Sequence, residues 1–210
     1  MSFENYLDMD MNDPEFSRVV YLKNFKERQN VSKSRLDGDA GCVFLDPGDI
    51  YQYKYDNKLG ARYVACMDMS YDLVLSVFDV NGGTILVHRF YEFGKESRDA
   101  MDSHLRKMPL SNVEARIAGM QNNQYFKALI ASFLYLKERK LPLYEIDLFG
   151  GDTRNVAFDI KTGLSLDVLA LSRPYKPGEL ATKKTVEQFE RELKERARSP
   201  YAVSGWRAQK

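Results

Sequence analysis

The sequence predicts an α+β fold with a mainly antiparallel sheet, and three observations carry that prediction. Two apolar runs, Leu73 to Val80 and Thr84 to Phe93, flank Asn81-Gly82-Gly83, and Asn-Gly between apolar runs signals a tight β-hairpin. The chain reads as strands, then helices, then strands, then a helix, without the strand–helix alternation that builds a parallel sheet. Residues 123 to 139 carry Tyr125, Phe126, Leu129, Ile130, Phe133, Leu134 and Leu136. That is apolar over most of a helical circumference, so one buried helix is expected on the sheet.

Taken in order, residues 1 to 41 form an acidic and polar N-terminal extension, partly disordered. Glu4, Asp8, Asp10, Asp13 and Glu15 stand in its first 16 residues without a Lys or Arg. Phe16 to Phe25 fits a short docking strand or helix, and residues 26 to 41 a loop or linker. Cys42 to Leu45 opens a single domain spanning 42–174. Pro47-Gly48 at the centre of Asp46-Pro47-Gly48-Asp49 is type II turn chemistry, and Ile50 to Tyr55 is the next strand.

Residues 61–92 organise the domain. Leu73, Leu75 and Val77 alternate with Val74 and Phe78, and Ile85 and Val87 alternate with Leu86 and Phe90, so the hairpin is apolar on both faces and belongs at the centre of a sheet. Ser97 to Lys107 is compatible with a helix. Ser111 and Glu114 form a capping box for a short helix. After the buried helix, a three-strand meander covers 143–171, turning at Gly150-Gly151-Asp152 and Lys161-Thr162-Gly163. Residues 175–210 hold a C-terminal helix from about Lys183 to Arg198 and a basic tail with the only Trp.

Composition narrows function mostly by exclusion. The 210 residues are 44% hydrophobic with a net charge of +1, so no global field steers the chain toward nucleic acid. No apolar run approaches the roughly 20 residues of a membrane span, and no secretory leader is read at the N-terminus; the protein is expected to be cytoplasmic. Cys42 and Cys66 lie in apolar runs and read as small buried thiols. The two histidines, His88 and His104, and the widely spaced cysteines suggest no zinc site, and no cofactor is indicated. Walker, dinucleotide-binding, Gly-x-Ser-x-Gly and His-Glu-x-x-His motifs are missing.

Four groups of residues remain as candidates. Tyr51, Tyr53 and Tyr55 alternate with Gln52 and Lys54 and are followed by Arg62 and Tyr63. A row of phenols beside basic residues can stack single-stranded nucleic acid, or simply cover a sheet face with hydroxyls in water. Glu145, Asp147, Asp159 and Asp167 are expected to share a solvated face of the meander, with Ala157 opposite both Glu145 and Asp167. His88, on a central strand opposite Ser76 or Leu75, reads as a satisfied core histidine; a pairing with Cys66 is the alternative. In the tail, Val186, Phe189 and Leu193 make a narrow stripe flanked by Glu187–Arg191, Glu190–Lys194 and Glu192–Arg196 pairs. Arg196, Arg198, Trp206 and Arg207 would act as a basic arm with an aromatic anchor.

Asp68 after an apolar strand, followed by a hairpin, helices and Asp147 on the next strand, resembles the order in RNase H-like nucleases. That resemblance implies a metal-dependent nuclease with Asp68 and Asp147 as ligands. The chain departs from it after Asp147 by turning back in a hairpin where the family continues with a helix. Ile146 to Thr153 also resembles the phosphate loop of actin-like ATPases, with Phe149 interrupting the pattern. The primary expectation is a non-enzymatic binding or assembly protein. It would meet a protein partner, a second copy through the C-terminal helix, or single-stranded nucleic acid.

Overall fold

In the computed structural model the described residues are 19–22, 29–32, 36, 41–56, 60–110, 112–119, 126–148, 154–169, 182–184, 188 and 191. They form twelve strands: β1 (Val19–Leu22), β2 (Gln29–Ser32), β3 (Cys42–Phe44), β4 (Ile50–Lys54), β5 (Tyr63–Met69), β6 (Leu73–Asp79), β7 (Thr84–Phe90), β8 (Val113–Gly119), β9 (Leu143–Leu148), β10 (Arg154–Asp159), β11 (Ser165–Leu169) and β12 (Thr182–Lys184). Two helices, α1 (Lys95–Leu105) and α2 (Phe126–Glu138), complete them.

The predicted fold class is corrected here. The molecule is mostly β, with two mixed sheets rather than one mainly antiparallel sheet. The seven-stranded sheet runs β12-β1-β9-β8-β6-β7-β4 and the five-stranded sheet β2-β11-β10-β5-β3. Four pairings are parallel: β1 with β12, β2 with β11, β3 with β5 and β8 with β9. The last encloses α2 as a strand–helix–strand crossover.

Three layers result. Leu73, Leu75, Val77, Leu86, Phe90, Ala115 and Ile117 pack with Met101, Leu105, Leu129, Phe133 and Leu136 of the helices. From the other face of the same strands, Val74, Phe78, Ile85, Val87 and Ala118 pack with Val64, Cys66, Val156 and Phe158 of the five-stranded sheet. Tyr63, Ala65, Ala157, Leu166 and Val168 form a smaller cluster on that sheet's outer face with Leu36 and Val31.

The organising hairpin stands as read: Leu73 pairs with Phe90 and Asp79 with Thr84, and every residue of β6 is buried. Gly83, at φ 63°, donates its N–H to Asp79 O at 2.9 Å and closes the turn. The buried helix and the Ser97–Lys107 helix are present as α2 and α1.

Other elements differ. The Ser111–Glu114 capping box does not start a helix; Val113–Gly119 is the strand β8, between β6 and β9. Val113, Ala115 and Ile117 against Glu114 and Arg116 is a period of two, and pairing on both edges outweighs the local cap. The 143–171 meander is split between sheets. β9 pairs with β8 and β1, while β10 pairs with β11 and β5. Thr182–Lys184, where the C-terminal helix was expected to begin, is β12; of that helix only Gln188 and Arg191 are otherwise described, and both are helical. β1 and β2 come from residues 1–41 and β12 from 175–210, so strands from both flanking segments join the sheets.

Candidate functional site

Pro47 and Gly48 carry the chain from one sheet to the other. Gly48 takes φ 99° and Asp49 donates its N–H to Asp46 O at 3.0 Å, the turn the sequence prescribes. The turn takes β3, an edge of the five-stranded sheet, into β4, an edge of the seven-stranded sheet. The register of β4 on β7 runs from Ile50↔His88 to Lys54↔Thr84. Hydrogen bonds from Arg89 N–H to Asp49 O (3.0 Å) and Tyr55 N–H to Gly83 O (2.9 Å) fix its phase. Odd-numbered residues therefore turn their backbone groups toward β7. Ile50, Gln52 and Lys54 turn theirs outward, with no second strand against them among the described residues.

The side chains of this edge divide by face. Ile50 packs on the helix-side core, and Gln52 Oε1 lies 2.8 Å from His104 Nδ1, joining β4 to α1. Tyr51, Tyr53 and Tyr55 lean on the inter-sheet core, where the Tyr51 and Tyr53 rings stack 5.9 Å apart and 9° from parallel. Burial, then the charge of Tyr53, raises the Tyr51 hydroxyl above its ordinary range. The phenols are thus half-buried cover for the inter-sheet layer. Arg62 lies at the same end of the sandwich, but it forks onto Asp159 at 2.9 and 2.6 Å, and that bond, against some desolvation, raises its pKa. Phe44 on β3 is 48% exposed. Arg196, Arg198, Trp206 and Arg207 lie outside the described residues.

Of the carboxylates expected on a solvated face, Glu145, Asp147 and Asp159 are instead buried and engaged, and Asp167 is half-buried. Glu145 alternates with Ile146 and Leu148 of the helix-side core and so faces the inter-sheet layer, where Ser165 Oγ donates to it at 2.6 Å. Arg116, 1% exposed, donates to Glu114 at 2.5 Å and stacks on Tyr144 at 4.7 Å. Arg154 holds the Asp147 carboxylate at 2.6 Å and its carbonyl at 2.8 Å, with Asp167 3.8 Å away. The register is Val156↔Asp167 and Ala157↔Leu166, one residue from the expected pairing. An inward row of charge under two sheets is invisible to a pattern that counts polar residues as solvated.

Asp68 and Asp147 stand on different sheets. Asp68 is exposed at φ 53°, its N–H donating to Asn155 Oδ1 at 2.7 Å, and Asp147 is fully buried against Arg154. Among the described residues no group of three or more His, Cys, Asp or Glu is placed to hold a metal ion.

His88 sits opposite Leu75. Its Nδ1–H donates to Asp49 O at 2.8 Å, and its ring lies 5.1 Å from Phe90. Burial lowers its pKa, although Asp49 opposes the shift. Cys66 faces the inter-sheet core, where burial pushes its thiol up to about 12. The two therefore face different layers and form no nucleophile–base pair. No disulfide joins Cys42 and Cys66.

A cavity of about 490 Å³ opens between α1 and α2 over Phe93, Ala131 and Leu134. Its rim is closed by ion pairs: Lys95–Asp99, Arg98–Glu138 and Arg139–Asp102. Tyr135 OH donates to Asp102 at 2.8 Å. Burial raises the Asp102 pKa, and the bonds from Tyr135 and Arg139 outweigh it and hold the group low. No described helix is long and apolar enough to cross a membrane.

No protein-family model matches this chain, and no curated protein matches it.

Proposed function

We propose that this chain is a non-enzymatic binding or assembly protein that engages another polypeptide by strand addition at β4. The observation that supports the reading is the outward row of backbone N–H and C=O groups at Ile50, Gln52 and Lys54. An added strand satisfies such a row by main-chain hydrogen bonds, and the half-buried tyrosines on one face and Ile50 and Gln52 on the other supply side-chain selectivity. The groups that could do chemistry support it too: Asp147, His88 and Cys66 are held in structural roles, and Arg62 is held by Asp159 rather than presented to phosphate. A polypeptide partner therefore fits better than single-stranded nucleic acid.

The test is amide exchange with and without proteins captured on the immobilised chain. New protection at Ile50, Gln52 and Lys54, lost with Gln52→Pro, supports strand addition. Capture that Gln52→Pro leaves unchanged, with no new protection on β4, contradicts it.

A further inference from the structure

We infer that the strand added to β4 is β4 of a second copy of this chain, paired antiparallel about a twofold axis at Gln52. The inference rests on the strand-addition reading and names its partner. Three outward-facing residues, Ile50, Gln52 and Lys54, are spaced evenly about Gln52. A twofold axis there sets Ile50 opposite Lys54 of the other copy and Gln52 opposite itself, and it satisfies the outward groups of both strands at once. Each copy meets the same patch on the other, as a closed twofold interface requires. Tyr51 then falls opposite Tyr53 of the other copy, an aromatic cross-strand pair of the kind that stabilises sheets.

Charge agrees with this direction. The N-terminal approach to β4 carries the exposed Asp46 and Asp49. The C-terminal end carries the exposed Lys54 and Asp56, with Lys161 Nζ 5.9 Å from the Tyr55 ring. Antiparallel pairing brings each acidic turn beside the other copy's net basic end, whereas parallel pairing would set like ends together. The two Lys54 residues stand four positions apart, roughly 13 Å along the strand. The two seven-stranded sheets would become one continuous sheet.

The experiment is sedimentation equilibrium of the full chain over a concentration series, with three variants. Wild type should show a reversible dimer. Gln52→Pro removes an outward N–H without touching the ladder to β7, a position where an edge strand tolerates proline; it should be monomeric. Lys54→Glu, at an exposed side chain, should weaken the dimer roughly fivefold, because it stands opposite Ile50 and next to the other copy's acidic turn. It also keeps the test valid if the proline variant fails to fold. Gln52→Cys in a Cys42→Ser background should be joined to its counterpart by a short thiol-reactive cross-linker, since directly opposed residues in a hydrogen-bonded pair have Cα atoms about 5.5 Å apart. A wild-type chain that stays monomeric throughout, or a dimer unaffected by Lys54→Glu, overturns the inference. If the monomer still captures a different protein in a β4-dependent way, strand addition stands and only self-pairing falls.

Discussion

Arg89 and Asp72 form an ion pair inside the molecule, with side chains 7% and 1% exposed. A terminal nitrogen of Arg89 also donates to Leu45 O at 2.6 Å. One guanidinium thus ties β7 to the turn before β6 and to the end of β3, where the chain leaves one sheet for the other. Removing it strands a buried carboxylate, so Arg89→Met should cost about 3–5 kcal/mol. The double variant Arg89→Met, Asp72→Leu should recover much of that loss. Urea denaturation of the two variants checks the expectation.

Gly119 ends β8 at φ 112°, and a Cβ there would lie 2.5 Å from Asp72 O and 2.5 Å from Met69 Cε. The methyl of Met69 can move; the carbonyl of Asp72 is held by the same corner that holds Arg89. Gly119→Ala should therefore destabilise by about 2 kcal/mol or more through strain and clash, read as a drop in melting temperature. Gly48→Ala, with φ 99° but open space around it, should cost less.

Stability should fall in mild acid. The folded pKa of His88 lies below its ordinary value because burial disfavours the cation. Below about pH 6.5 the unfolded chain takes up a proton that the folded one refuses, so stability is lost as pH falls from there toward the folded pKa. The limiting slope is about 1.4 kcal/mol per pH unit for one proton. His104, lowered by burial and then by Lys107, adds in the same direction. His88→Gln keeps a donor for Asp49 O and should flatten the profile below about pH 6.5 as measured by denaturation.

The tyrosine strand should not act as a nucleic-acid platform. Labelled single-stranded DNA and RNA at low salt should give no anisotropy rise with wild type. Salt-dependent binding that Tyr51→Ala and Tyr53→Ala reduce would show that the phenols leave the core to stack on bases.

What the sequence made legible was local or strongly periodic. Asn81-Gly82-Gly83 between two-faced apolar runs marked β6 and β7, and the all-round apolar segment marked α2. Pro47-Gly48 specified its turn. Sheet membership was not legible. β9 and β10 follow one another with turn residues between them, yet β9 finds a parallel neighbour in β8 across α2, a contact that only tertiary packing selects. β8 carried its period-two signal, overshadowed by a capping box that happened to precede it. Arg116, Arg154, Glu145 and Asp147 alternated as surface residues do; that they point between two sheets follows from the second sheet, whose strands β2, β3, β5, β10 and β11 are scattered from residue 29 to residue 169. Of the candidate site, Tyr51, Tyr53, Tyr55 and Arg62 were found as neighbours, but the outward backbone of Gln52 leaves no mark in a sequence.

β4 is an outer strand of the seven-stranded sheet, and residue-resolved amide exchange tests most directly whether its outward side is open to a second strand. In dilute protein, Ile50, Gln52 and Lys54 should exchange rapidly while Tyr51 and Tyr53, bonded to β7, stay protected. As concentration rises, the even-numbered amides should gain protection and the alternation should fade. Slow exchange at all five residues in the dilute monomer would show that β4 is already covered on both sides and would contradict the account.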